Sequence, residues 1–108
     1  LLTIKEKAKE LAAAIKESEE FQELQSSRAR VQLDPNASDL LQKLQQTQDK
    51  VMALQQQGEQ ITQDVIEELR NLEGQMQLNL TLKKLVEAQQ KFEELMNEVN
   101  KVLAENLE

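Results

Sequence analysis

Residues 82–103 read LKKLVEAQQKFEELMNEVNKVL, and the spacing of their apolar members decides the fold. Leu85, Phe92 and Val99 stand seven apart, and so do Ala88, Leu95 and Val102. An α-helix returns every seventh residue to nearly the same side, so both rows share one face. Leu82, Met96 and Leu103 widen that face beyond a narrow two-stranded seam. A stripe this broad asks for neighbours on more than one side. Asn79 or Thr81 supplies a cap, and the spacing predicts a helix over 80–106.

The same grammar repeats upstream. Thr62 is an N-cap with Asp64 in the first turn, and Ile61 stands where it can staple onto Ile66. Val65, Leu69, Leu72 and Met76 follow at steps of 4, 3 and 4, which predicts a helix over 62–78. Gly74 interrupts the stripe at a cost of about 1 kcal/mol against Ala, but Met76 keeps the phase, so the helix is read as continuous. Gly58 stands where a left-handed residue closes the preceding helix. That helix, 35–57, opens on Asp34 as N-cap and Pro35 at the first turn. Its seam runs Ala37, Leu44 and Val51 in one register and Leu40, Thr47 and Leu54 in the other, with Thr47 the one polar member.

Residues 3–33 read as helical with a joint near Ser18, either two helices meeting there or one helix bent there. Thr3-Ile4-Lys5-Glu6 has the form of a capping box. Ile4, Ala8, Leu11 and Ile15 make a stripe, and Ser18 precedes Glu19, Glu20 and Phe21 as a second N-cap. Phe21, Leu24, Arg28 and Val31 carry the stripe on, with the aliphatic stem of Arg28 lying along it.

These segments predict an all-α protein: a single domain over 1–108 built as a bundle of long amphipathic antiparallel helices. A helix of about 25 residues is roughly 37 Å long, so the rods form a sheaf. The chain has two Phe, no Trp and no Tyr, so one copy leaves much of its apolar stripe in water. Self-association relieves this, and a symmetric dimer is the default. The residues expected in the core or at an interface are Ile15, Phe21, Leu24, Leu44, Val51, Leu54, Leu69, Leu72, Leu85, Phe92, Leu95, Val99 and Val102.

The chain has neither His nor Cys. That removes imidazole acid–base work, thiol nucleophiles, disulfides, Fe–S clusters and ordinary zinc, copper or haem ligation. Carboxylates remain, as Glu6/Glu10, Glu19/Glu23, Glu67/Glu68 and Glu93/Glu94. Each pair has Lys or Gln close by and reads as a solvated helix face, without the burial that splits the pKa values of a catalytic pair. Asp34-Pro35-Asn36-Ala37-Ser38 imitates the start of a calcium loop, but Asp39 and Gln45 stand where that loop needs Gly and Glu. No cofactor, no metal and no catalysis are expected. The net charge of −7 opposes nucleic acid, and the basic groups Lys5/Lys7/Lys9 and Lys83/Lys84 are short. No apolar run approaches the ~18–20 residues that span a bilayer. A soluble chain in a reducing cytoplasm is the expectation. Sixteen Gln read as neutral helix surface or as hydrogen-bonding groups at a partner interface.

The order of these landmarks resembles the YlbF/YmcA family, which includes YheA-like proteins. Residues 7–21, KAKELAAAIKESEEF, are similar to that family's opening helix. Asp34 and the helix after it match the next landmark. Residues 55–62, QQQGEQIT, look like its mid-chain turn, and 85–103 resembles its closing helix. The resemblance implies a dimerising bundle of long helices in the bacterial cytoplasm, with a regulatory role and no catalysis. It also implies partnership with another regulatory protein: YlbF and YmcA act with YaaT in competence, biofilm formation and sporulation, linked to RNase Y and messenger-RNA processing. The Cys-bearing extension associated with an iron–sulfur cluster in those two members does not carry over to a sequence without Cys. The chain is closer to the YheA-like branch.

A non-catalytic adaptor that binds protein through its helical faces is therefore the expected function. The alternative is a structural or chaperone-like coiled coil gripping clients between two helices. The entirely polar turn from Gln55 to Gln60 gives such a grip no apolar tip.

Overall fold

The computed structural model describes residues 2–108, with side chains from Thr3 onward. Five helices follow one another: α1 (Leu2–Glu17), α2 (Glu19–Leu33), α3 (Pro35–Gln56), α4 (Gln63–Gln77) and α5 (Leu80–Leu107). There is no strand among the described residues, and the all-α expectation is met.

Each joint has a local chemical cause. At the first, the Phe21 N–H donates to Ser18 Oγ at 3.1 Å, so Ser18 caps α2. At the second, Asp34 has an extended backbone and its Oδ1 accepts from the N–H groups of Asn36 and Ala37, with Pro35 opening α3. α3 ends in a Schellman arrangement. Gly58 adopts φ +72, its N–H reaches the Gln55 carbonyl, and the Glu59 N–H reaches the Leu54 carbonyl at 2.9 Å. Thr62 Oγ1 accepts from the Val65 N–H to start α4, and Asn79 Oδ1 accepts from the Leu82 N–H to start α5. Of the two candidates for that last cap, Asn79 serves.

Two readings are corrected. α1 reaches back to Leu2, so Thr3 lies inside the helix and is not its N-cap. On α2 the buried row passes through Leu24, Ser27 and Val31, while Arg28 is exposed and pairs with Gln25 at 3.3 Å. A buried Ser needs less room than an Arg stem, and Arg keeps its guanidinium in water.

Gly58 and Gly74 predict opposite outcomes for one substitution. A Cβ at either meets nothing within 4 Å, so backbone conformation alone decides. Gly58→Ala forces a left-handed Ala and is expected to cost about 1 kcal/mol. Gly74 lies inside α4, and Gly74→Ala is expected to stabilise by about 1 kcal/mol. Urea midpoints of the two variants, moving in opposite directions from the parent, check this.

The chain divides into two compact units. One comprises residues 1–29 and 85–108, and the other residues 30–84. In the second unit α3 packs against α4. Its buried residues include Val31, Ala37, Leu40, Val65, Leu72 and Leu82. Thr47, fully buried, ties the pair together: its hydroxyl lies 2.9 Å from the Lys43 carbonyl and 3.0 Å from Glu68 Oε1. Glu68 also meets Lys50 at 3.5 Å. One hydroxyl proton serves two acceptors here, which fixes the register of α3 on α4 better than it adds stability. In the first unit the rings of Phe21 and Phe92 lie 5.7 Å apart at 57°, a tilted contact that sets α2 against α5. Leu24, Leu85 and Ala88 are buried in the same unit.

Candidate functional site

Of the thirteen residues expected in a core or interface, Leu24, Leu72 and Leu85 are buried in the single chain. Ile15, Phe21, Leu44, Val51, Leu54, Leu69, Phe92, Leu95 and Val99 are half-buried, and Val102 is exposed. That gradient locates the surface of interest. Going outward from the Phe21–Phe92 contact, burial fades along α1 towards its N-terminus and along α5 towards its C-terminus.

At those ends large apolar side chains face water. On α1, Ile4 is 69% exposed and Leu11 is 38% exposed. On α5, Val102 and Leu103 are about half exposed and Leu107 is almost fully so. Ile4 and Leu11 continue the α1 stripe whose Ile15 is half-buried nearer the phenylalanines, and Val102 and Leu103 continue the α5 stripes whose Leu95, Met96 and Val99 are half-buried. A helical stripe that stays periodic but loses its cover marks a candidate contact surface.

A second apolar spot lies in the other unit, where the α2–α3 and α4–α5 joints meet. Asp34 lies between them: its Oδ1 accepts from the Asn36 and Ala37 N–H groups, and the side chains of Thr81 and Asn79 lie near enough to its carboxylate to favour the charged form. These hydrogen bonds, the Ala37 N–H foremost, hold its pKa below the ordinary aspartate value despite a smaller opposing effect of burial. Its stabilising effect is complete above the ordinary value and is lost as the pH falls through the lowered one. Leu33, Leu78 and Leu80 flank this polar knot, and all three are largely exposed.

The chemistry of the surface is sparse. Among the described residues no cluster of carboxylates is placed to hold a metal ion. Among the described residues no helix is long and apolar enough to cross a membrane. Beside Leu24 on α2 sits a residue that the apolar pattern could not reveal. Ser27 is almost fully buried, and its Oγ has no hydrogen-bond partner. A buried hydroxyl without a partner is costly, and Ala fits the helix better. Ser27→Ala is expected to stabilise the chain by about 1 kcal/mol, read as a rise in the thermal midpoint. A fall of that size would show that the hydroxyl is bonded in the working assembly.

The comparisons with known proteins agree with this fold. The family described as "Control of competence regulator ComK, YlbF/YmcA" matches residues 4–108. A UPF0342 protein of Alkalihalophilus pseudofirmus is 33% identical over 103 residues, covering 95% of this chain and 87% of that protein. Another, from Desulfitobacterium hafniense, is 32% identical over 102 residues, covering 94% of this chain and 78% of that one. Among solved structures, a chain of the crystal structure of Bacillus subtilis RicA in complex with RicF superposes with a TM-score of 0.75 and 17% identity. That superposition covers 99% of this chain and 98% of that one, and it shows a shared fold. Matched from its first helix to its last residue, this chain belongs to the YlbF/YmcA family.

Proposed function

We propose that the chain is a non-catalytic adaptor of the cytoplasm that works by holding protein, first a second copy of itself and then another regulatory protein. The observation that carries this reading is the uncovered stripe of Ile4, Leu11, Val102 and Leu103. Side chains of this size at helical spacing stabilise a complex only when something dry covers them. The absence of His and Cys from the sequence leaves the helical faces as the working parts.

The family's description names control of a competence regulator, and the matched fold is one solved with a protein partner. The first supports an adaptor acting in competence control and the second a fold that takes a protein partner; sporulation, biofilm formation and RNA processing enter this reading only through the family resemblance. A client-gripping coiled coil finds no support, because the turn between α3 and α4 is polar from Gln55 to Gln60 and exposed.

The test is affinity purification of the tagged chain at native expression level, followed by quantification of what elutes. The adaptor reading expects one protein partner in fixed ratio to the chain. Recovery of the chain with no heterologous protein in any fixed ratio contradicts it.

A further inference from the structure

We propose that in the self-associated form α1 of one copy docks against the 96–107 stretch of α5 of a second copy, with a lysine bordering the α1 seam, Lys7 if the two helices run antiparallel or Lys5 if they run parallel, facing Glu98 and Glu105. This rests on the self-association put forward above and specifies its seam.

The heptad phase of each stripe says which charges border it. On α1, Ile4 and Leu11 occupy one seam row and Ala8 and Ile15 the other. One border of that seam then carries Lys5 and Ala12, and the opposite border carries Lys7 and Ala14. Glu6, Glu10 and Glu17 fall on the far side of the helix. The α1 seam is thus bordered by positive charge and by small residues that permit close approach. On α5, Leu95 and Val102 form one row and Val99 the other. The flanks are Glu98 and Glu105 on one border, and Met96 and Leu103 on the other. That seam is bordered by negative charge and widened by apolar side chains.

Two copies could pair these exposed stripes in three ways. α1 on α1 sets Lys against Lys in either orientation, and α5 on α5 sets Glu against Glu when antiparallel or Glu against Met and Leu when parallel. Only α1 on α5 sets opposite charges across the seam, and like charges facing each other at flanking positions select against a pairing. The chain's own α5 does not satisfy α1, because Ile4 and Leu11 remain exposed. Among the described residues Lys5, Glu98 and Glu105 have no ion-pair partner. Lys7 meets Glu10 at 3.3 Å, with both side chains about 70% exposed, a contact easily exchanged. Each copy offers one α1 and one α5, so a two-fold axis makes both seams at once and the assembly closes as a dimer.

Charge reversal tests the seam. Sedimentation equilibrium would compare the parent with Lys5→Glu/Lys7→Glu, with Glu98→Lys/Glu105→Lys, and with all four changes together. All four positions are exposed, and far-UV circular dichroism confirms that each variant keeps its helices. Each double variant is expected to dissociate roughly tenfold or more readily than the parent. The quadruple variant is expected to regain most of the loss, because opposite charges again face each other. A parent dimer that is indifferent to the double variants, or a quadruple variant weaker than both, overturns this seam while self-association stands. A parent that never dimerises overturns both.

Discussion

Leu82→Ala is expected to cost about 3 kcal/mol of folding stability, the largest single loss available in residues 30–84. Leu82 is 1% exposed and is the largest fully buried side chain among the described residues. Its backbone is pinned as well, by the hydrogen bond from its N–H to Asn79 Oδ1 at 3.0 Å. With the start of α5 so fixed, the helix cannot slide in to fill the space left by an Ala, and an unfilled cavity adds to the lost transfer energy. Leu78→Ala provides the contrast. Leu78 is 88% exposed two residues before α5 starts, and its truncation is expected to change stability by less than about 0.5 kcal/mol. Urea unfolding of both variants makes the comparison. Equal, small effects would remove Leu82 from the core.

Phe92→Ala is expected to cost about 3 kcal/mol, but its effect has a different character. In one copy Phe92 is half-buried, and its ring meets Phe21 in a tilted pair at 5.7 Å. Aromatic pairs in such geometry contribute about 1 kcal/mol beyond buried area. A cycle with Phe21→Ala should recover a coupling of that order. The residues beyond Phe92 on α5 lose burial steadily towards Leu107. If a second copy covers them, part of the loss appears as weaker association, and near the dissociation constant the midpoint of Phe92→Ala depends on protein concentration less steeply than that of Leu82→Ala, because less of it is paired. Parallel concentration series for the two variants, with no difference in slope, would place Phe92 wholly inside one copy.

Much of this architecture was legible in the sequence because helix ends are written in local chemistry. Ser18, Asp34-Pro35, Gly58, Thr62 and Asn79 each act within a few residues of themselves, so no tertiary information was needed to place them. Gly74 was also readable, since the phase carried by Met76 outweighed one unfavourable residue. The failures share a cause. Thr3 matches a cap pattern, yet the chain before it continues the helix, and a pattern cannot say which of two equivalent starts is used. Arg28 and Ser27 compete for one place on α2, and the winner depends on how closely a neighbour approaches, which is a tertiary fact. The exposed ends of α1 and α5 were inside the predicted stripes. Periodicity says which residues share a face but not how far along the helix that face is covered. The Leu33, Leu78 and Leu80 spot lay outside every stripe, and its only trace in the sequence is leucine beside helix caps.

Sedimentation equilibrium of the unaltered protein over roughly two decades of concentration tests the central claim most directly. Covered stripes on α1 and α5 predict an apparent mass that climbs from that of one chain to twice that value and then levels. One chain's mass at every concentration would contradict the account, since Ile4, Leu11, Val102 and Leu103 would then have no partner of their own kind.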